Sequence, residues 1–182
     1  MTDITEEIER ENKIINDLLS LVKLDKTEAK PVIQHISINH TIELIMKRLR
    51  PIAQKRNIEL VYESIRQVTA DIDEVKFTLA ISNLVENAIK YNIENGWVHV
   101  SLNADHKYFY VKVTDSGIGI PAEYQDQIFE RFYRVDKARS RETGGTGLGL
   151  AIARNIVELH GGKVTVKSEE NKFTEFTVKL QK

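Results

Sequence analysis

Residues 115–150 read DSGIGIPAEYQDQIFERFYRVDKARSRETGGTGLGL and contain six of the nine glycines of this chain. Two glycine clusters, one at Gly117 and Gly119 and the other within residues 144–149, flank a segment rich in Arg, Lys and Asp. Glycine allows positive φ and a close approach of the main chain to a ligand. Because main-chain N–H groups bind phosphate well, the two clusters predict a nucleotide held largely through its phosphates.

The spacing of these glycines excludes the two commonest phosphate-binding loops. A Walker loop ends in Gly-Lys-Ser/Thr, and a dinucleotide fingerprint needs Gly-x-Gly-x-x-Gly between a strand and a helix. Residues 145–150 instead read GTGLGL. A second motif upstream is therefore needed to explain the pattern.

That second motif is NLVENAIKYN at residues 83–92, on a helix predicted from about Asp73 to Tyr91. Asn83, Asn87 and Lys90 share one face of this helix. Two amides and an ammonium there fit either a solvated surface or a ligand site, and the glycine clusters favour the ligand site. A different face has core spacing and comprises Phe77, Ala80, Ile81, Leu84, Val85 and Ala88.

With both motifs in place, residues 31–182 resemble the ATP-binding catalytic domain of bacterial sensor histidine kinases, in the superfamily of gyrase, Hsp90 and MutL. Four boxes follow the family's order: an N box (83–92), a first glycine box (115–119), an F box (129–134) and a second glycine box (145–150). The resemblance implies an α+β fold, a two-layer α/β sandwich (the Bergerat ATP-binding fold). Its sheet is expected to be mixed and mostly antiparallel, with helices on one face and an additional N-terminal helix.

The resemblance also implies roles for individual residues. Asn87 would be the ligand of Mg²⁺, a hard cation that prefers oxygen. Lys90 would pair with phosphate, Tyr91 would line the nucleotide, and Arg134 would lie near the γ-phosphate as a clamp. The predicted catalytic set is Asn83, Asn87, Lys90 and Arg134. The predicted ATP-binding set is Asn87, Lys90, Tyr91, Asp115, Gly117, Gly119, Ile120, Phe132, Arg134, Gly145, Thr146, Gly147, Leu148 and Gly149.

Asn83 bears on whether the nucleotide is hydrolysed. In the hydrolytic relatives a Glu stands one turn before the metal-binding Asn and activates water, whereas this chain has an amide. An amide cannot act as a general base at neutral pH, so attack by water is expected to be slow. Glu86 could substitute as the base, but a Glu on a helix surface is more often only solvated.

Asp115 follows a predicted hairpin, Trp97–Thr114. In the family this carboxylate accepts a hydrogen bond from the adenine amino group, which selects ATP over GTP because guanine presents a carbonyl there. An Asx turn closing the strand is the alternative, and both can hold at once. Residues 135–143 are mostly charged and polar, so they are expected to form a lid that is mobile without nucleotide.

Further elements are predicted from periodicity and from Gly and Pro positions. They are a strand at 32–39, a helix at 41–56 that Pro51 kinks or breaks, strands at 58–64 and 68–72, a short helix at 121–130, a last helix at 151–160 and a terminal hairpin of 163–169 and 173–180. His160, at the end of the last helix, is predicted to be structural. Histidine kinase domains usually have glycine in the turn of the terminal hairpin, where this chain has residues 170–172, Glu-Asn-Lys.

Residues 3–29 form a predicted helix with a heptad stripe of Ile4, Ile8, Ile15, Leu18 and Val22. Such a stripe needs a partner, either its own domain or another helix. Residues 8–26 look like the second helix of the histidine kinases' dimerisation bundle. Residues 1–30 are therefore predicted to be a truncated bundle helix and 31–182 the ATP-binding domain. The resemblance implies a homodimer through a four-helix bundle.

Composition narrows the environment and the partners. The 182 residues carry a formal charge of −1, which gives no electrostatic argument for nucleic acid or for a polybasic membrane contact. The absence of cysteine excludes disulfides and thiolate metal sites. No apolar run approaches the roughly 20 residues that span a bilayer. We predict a cytoplasmic chain without direct membrane contact, in a parent protein anchored in the cell membrane.

The family's phosphate acceptor is a histidine within Ser/Phe-His-Glu-Leu-Arg-Thr-Pro, and none of the five histidines has that context. The chain is therefore predicted to bind ATP and Mg²⁺ and to donate the γ-phosphoryl to a histidine on a first bundle helix that this sequence lacks. A response-regulator receiver domain would then receive the phosphoryl on an aspartate. The alternatives are a superfamily ATPase, against which Asn83 argues, and a regulatory module or anti-sigma serine kinase, against which the intact motifs and the N-terminal helix argue.

Overall fold

The computed structural model describes the backbone of residues 2–25, 30–134 and 147–182, and the side chains of these residues except 2, 3 and 20–25. The helices are α1 (Thr2–Asp25), α2 (Ile38–Lys55), α3 (Glu74–Lys90) and α4 (Gly149–Leu159). The strands are β1 (Gln34–Ser37), β2 (Glu59–Ser64), β3 (Thr69–Ile72), β4 (Trp97–Ala104), β5 (Tyr108–Asp115), β6 (Lys163–Glu169) and β7 (Phe173–Gln181).

The main sheet has five strands in the order β2-β4-β5-β7-β6. β2 pairs with β4 in parallel and the other three pairs are antiparallel, while β1 and β3 form a separate antiparallel pair. Every second residue of β4, β5 and β7 is buried, as expected for a sheet covered on one face. Helices α2, α3 and α4 provide that cover, so the predicted two-layer α+β sandwich is confirmed.

Aromatic pairs connect the helical layer to the sheet. Phe77 of α3 meets Phe109 of β5 edge to face, with ring centroids 6.2 Å apart. Phe129, from the predicted F box, makes a similar contact with Phe176 of β7 at 6.0 Å. Such pairs add specific geometry to a large buried area. The second pair attaches the segment after the first glycine box to the same core.

The predicted strand at 32–39 is wrong at its end, because α2 begins at Ile38. The Ser37 side chain accepts a hydrogen bond from the His40 N–H and so caps the helix. Ile38 and Ile42, four residues apart, are both buried in the core, which stabilises a helix rather than a strand. Only four residues remain in β1.

Two other predictions about local structure are corrected. Pro51 was expected to kink or break the second helix, and the break is wrong because α2 continues through it. Leu49 and Ala53 on either side are buried and hold the helix in place. The short helix expected at 121–130 is only a 3₁₀ turn, Ala122–Tyr124, followed by further turns. Packing of Ile128 and Phe129 into the core takes precedence over regular helix geometry there.

The last helix and the terminal hairpin confirm their predictions. His160 ends α4 and is structural: its Nδ1 lies 2.8 Å from the Ile156 carbonyl oxygen, and its Nε2 accepts the Asp73 N–H at 3.1 Å. In the hairpin turn, Asn171 adopts φ 63°, the left-handed conformation that glycine usually supplies. The turn therefore keeps its geometry without glycine.

Helix α1 lies against α4 and reaches α3 through an ion pair. The face toward the domain includes half-buried Lys13 and Ile14, whereas the described side chains of the heptad stripe, residues 4, 8, 15 and 18, are exposed to solvent. Ile4, Ile8 and Ile15 are 68%, 53% and 54% exposed. The stripe is thus not the surface that packs on this domain. No helix within the described ranges is long and apolar enough to cross a membrane.

A candidate nucleotide-binding site

Helix α3 is the element that brings the predicted motifs together. Its N-cap is Asp73, whose side chain accepts the Lys76 N–H, and its core stripe lies against β4 and β5. With that face buried, Asn83, Asn87 and Lys90 lie half-buried along the other side. Core packing thus orients the whole polar row.

Asn83 connects the N box to the second glycine box. Its Nδ2 donates to the Gly149 carbonyl oxygen at 3.3 Å. Gly149 is the first residue of α4, and no side-chain hydrogen bond caps that helix, in contrast to Ser37 on α2 and Asp73 on α3. A helix start without a side-chain cap directs its N–H groups outward with partial positive charge, which suits an anion.

The first glycine loop lies beside the C-terminal end of α3. The Ile118 N–H donates to the carbonyl oxygen of Tyr91, the C-cap residue of α3, at 3.1 Å. A Cβ added at Gly117 would lie 2.4 Å from that same oxygen, so only glycine fits there. Gly119 has φ 69° and is equally constrained. The loop therefore needs glycine for packing as well as for conformation.

Asp115 is a carboxylate in a core position. It continues the inward-facing row of β5 after Val111 and Val113, and it is 4% exposed. Its Oδ1 accepts the Gly117 N–H at 2.7 Å, which confirms the Asx turn. Burial raises the pKa of Asp115 to about 7, opposed by that single N–H. A buried acceptor with so little compensation suits a ligand that donates a hydrogen bond, such as an adenine amino group.

The F box meets the second glycine box at Phe132 and Gly147. The Phe132 N–H donates to the Gly147 carbonyl oxygen at 2.9 Å, and both residues have positive φ, 62° and 77°. A Cβ on Gly147 would approach Phe132 Cα to 2.9 Å. Leu148, next in the chain, is fully buried and anchors the start of α4. Arg134 is half-buried and is the last described residue before the gap.

Lys90 lies under α1. Lys13 of α1 forms an ion pair with Glu86 at 3.5 Å, and its ammonium is close enough to Lys90 to affect it. Burial and then the nearby Lys13 charge lower the pKa of Lys90 to about 8, with Glu86 and Asp17 opposing. Glu86, interpreted from sequence as simply solvated, thus takes part in a charge cluster.

The donor set of the site is compatible with a magnesium nucleotide. Asn87 presents a side-chain oxygen from the polar row of α3, and the described residues contain no cluster of three or more His, Cys, Asp or Glu able to hold a metal alone. Mg²⁺ characteristically takes one or two protein oxygens and completes its shell with phosphates and water. A single amide oxygen such as that of Asn87 fits this preference.

Some of the predicted site residues lie outside the described part of the chain, and some residues of the site were not predicted from the sequence. Gly145, Thr146 and the lid at 135–143 lie outside the described residues. The sequence reading missed Gln125, Ser168 and Thr174, which all pack around the first glycine loop. Thr174 is buried and pairs with Asp115 across β5 and β7. The alternation of β7 marks Thr174 as inward-facing, but only the register places it beside Asp115.

Known proteins are similar to this chain in both sequence and fold. Residues 72–182 match the family described as histidine kinase-, DNA gyrase B- and HSP90-like ATPase. The chain is 40% identical to the sensor histidine kinase WalK of Bacillus subtilis over 96% of its own length, and 38% identical to the signal transduction histidine-protein kinase ArlS of Staphylococcus aureus over 95%. It spans only 29% of WalK and 38% of ArlS.

Solved structures agree. Full-length ShkA in complex with AMPPNP superposes with a TM-score of 0.82 at 25% identity, over 92% of this chain and 35% of that one. The histidine kinase ThkA in complex with the response regulator protein TrrA superposes with a TM-score of 0.79 at 26% identity, over 98% of this chain and 49% of that one.

The fold and the site together define a nucleotide-binding domain of the kind shared by histidine kinases, gyrase B and HSP90, and the chain belongs to that family. Within the family it corresponds to the ATP-binding catalytic domain of sensor histidine kinases.

Proposed function

We propose that this chain binds ATP with Mg²⁺ and forms the phosphoryl-donating part of a two-component sensor histidine kinase. The observation that supports this most directly is the position of α3. The middle of this helix contacts the start of α4 through Asn83, and its C-terminal end contacts the first glycine loop through Tyr91. A nucleotide fits this arrangement if its phosphates lie at the start of α4 and its base lies at Asp115 beside the first glycine loop.

Each residue of the site then has a distinct task. Asp115 accepts a hydrogen bond from the adenine amino group, and the start of α4 with Lys90 and Arg134 binds the phosphates. Asn87 holds Mg²⁺, which neutralises phosphate charge when bound. Catalysis in this chain therefore consists of positioning and charge stabilisation, as phosphoryl transfer generally requires.

Asn83 favours transfer to protein over hydrolysis. Its amide is a hydrogen-bond donor to the Gly149 carbonyl and has no basic site to accept a proton from water. The acceptor is a histidine on a bundle helix outside this sequence, and a receiver-domain aspartate takes the phosphoryl next. ThkA, which was solved with a response regulator, has the same fold. A homodimer through the bundle completes the proposal.

The test follows the γ-phosphoryl of labelled ATP. The chain is incubated with labelled ATP and Mg²⁺, alone or with a separate bundle protein that carries the acceptor histidine. We expect Mg²⁺-dependent ATP binding and acid-labile label on the bundle protein. Asn87→Ala should abolish both, whereas Asn103→Ala, an exposed asparagine on β4, should leave both intact. Fast release of free phosphate by the chain alone, or no ATP binding, would contradict the proposal.

A further inference from the structure

One residue at the end of the first glycine loop, Ile120, is held by side chains at both of its main-chain polar groups. The Ile120 N–H donates to Ser168 Oγ at 2.8 Å, and the Ile120 carbonyl oxygen accepts from Gln125 Nε2 at 2.9 Å. Gln125 Nε2 also donates to the Ser168 carbonyl oxygen at 3.0 Å. Ser168 and Gln125 are 43 residues apart in sequence, so this arrangement exists only in the folded chain.

The hydroxyl of Ser168 uses its full hydrogen-bonding capacity. It accepts from Ile120 N–H, donates to the Phe173 carbonyl oxygen at 2.7 Å, and lies 2.8 Å from Thr174 Oγ1. A hydroxyl has one proton and two lone pairs, so Thr174 must donate to it. Thr174 is the β7 residue paired with Asp115. Ser168 therefore links the loop to the strand beside the buried carboxylate.

The loop has no free space on this side. The Asn171 N–H donates to the Ile118 carbonyl oxygen at 2.6 Å. A Cβ added at Gly119 would lie 2.1 Å from the Glu169 carbonyl oxygen. With Tyr91 of α3 on its other side, the loop is enclosed between α3 and the β6–β7 hairpin. The hairpin thus determines where the loop lies.

We propose that Ser168 and Gln125 are positioning residues for nucleotide recognition, which act through Ile120 to hold the first glycine loop and Asp115 in the geometry that binds the base. This inference rests on the proposed function, since it assumes that the base lies at Asp115. Neither side chain needs to touch the ligand. Both prevent the loop from relaxing away from it.

The inference predicts a loss that depends on the base. Removing either side chain leaves a loop backbone group without its partner, which should weaken ATP binding by about tenfold. Inorganic triphosphate with Mg²⁺ has no base and binds only the phosphate end, so its affinity should not change. A purely structural role would lower thermal stability and weaken both ligands together.

The experiment compares ATP and inorganic triphosphate by calorimetry, with melting temperature measured in parallel. The variants are Ser168→Ala and Gln125→Met, and Ser168→Thr, which keeps the hydroxyl, should recover ATP affinity. Matched controls are Thr165→Ala, exposed on the same strand, and Gln127→Met, exposed next to Gln125. Gln125→Met keeps the side-chain volume and remains informative if Ser168→Ala fails to fold.

Selective loss of ATP affinity in folded variants supports the inference. Variants that bind ATP as the parent chain does, or that lose both ligands equally, overturn it while the proposed function stands. A parent chain that binds no ATP overturns both.

Discussion

At the scale of single residues, Asp115 combines a core position with a charge. Its pKa is raised above the ordinary carboxyl value of 3.8 to about 7, so the folded protein holds a proton that the unfolded chain has released. Between these values the folded state binds more protons, and stability falls as pH rises from about 4 to about 7. Without nucleotide, the ionised side chain is a destabilising feature at neutral pH.

Asp115→Asn should therefore stabilise the nucleotide-free protein more at pH 8 than at pH 5, because the amide does not ionise. The same variant should bind ATP at least about tenfold more weakly, since one acceptor oxygen replaces two. Melting temperatures at both pH values and ATP titrations check the two effects. An equal shift at pH 5 and pH 8 would contradict the raised pKa.

Asp105 provides the opposite control. It is exposed and accepts N–H groups of Tyr108 and Lys107 in the β4–β5 turn, which lowers its pKa to about 2. The stabilisation that ionised Asp105 gives the folded state is present above the pKa of the unfolded chain and is lost as pH falls toward about 2. Asp105→Asn should thus bring no stability gain at pH 8 and leave ATP binding unchanged.

Comparing two glycines with similar φ distinguishes the cost of a left-handed backbone from the cost of a steric overlap at Cβ. Gly119 has φ 69° and Gly161 has φ 73°, but a Cβ on Gly161 meets nothing within 4 Å. Gly161→Ala should cost roughly 1–2 kcal/mol, the strain of the left-handed conformation. Gly119→Ala should cost at least about 2 kcal/mol more because its Cβ overlaps the Glu169 carbonyl. Urea unfolding of both variants measures the difference, and equal losses would contradict the contact.

At the scale of elements, α1 places a charged residue beside Lys90, for which we propose a role in phosphate binding. Lys13 pairs with Glu86 and lies beside Lys90, whose pKa is lowered to about 8. A Lys90 that is partly neutral at pH 8 is a weaker phosphate ligand than an ordinary lysine. The position of α1 therefore influences the charge that the site presents.

Lys13→Gln should raise the pKa of Lys90 from about 8 toward its ordinary 10.5, although burial still lowers it. Lysine side-chain NMR titration measures this pKa directly. Lys163→Gln, an exposed lysine at the start of β6, is the matched control and should change nothing. An unaltered Lys90 titration in the Lys13 variant would show that the two ammonium groups do not interact.

At the scale of the whole molecule, the described part of the heptad stripe of α1, from Ile4 to Leu18, is exposed rather than packed on the domain. Ile4, Ile8 and Ile15 are more than half exposed, whereas the helix contacts the domain through its other face. A row of large apolar side chains on one helix favours association with another helix. This arrangement supports the proposed homodimer, because α1 can contact its own domain through one face and a partner helix through the other.

We expect the chain to form dimers at high protein concentration, and Ile8→Asn combined with Ile15→Asn to make it monomeric without changing ATP affinity. Sedimentation velocity over a concentration series measures the mass. Ile52→Asn, a similarly exposed position on α2, should leave the dimer intact. A parent chain that is monomeric at every concentration would contradict this prediction.

Much of the fold could be predicted because its signals are local. The core stripe of α3 and the alternation of β4 and β5 follow from residues a few positions apart, and both were confirmed. The errors arose where local signals competed. Ser37 ended a strand early by capping α2, and Ile128 with Phe129 replaced a predicted helix with turns.

The kind of site could be predicted from residue types alone, because the four boxes in order, the amide at Asn83 and the carboxylate at Asp115 are visible in the sequence. How that site is held became visible only in the folded chain. Strand register places Thr174 beside Asp115, and side chains 43 residues apart hold Ile120. The outward direction of the α1 stripe was likewise decided by packing. These contacts depend on which surfaces meet after the chain has folded, and no local sequence pattern encodes that.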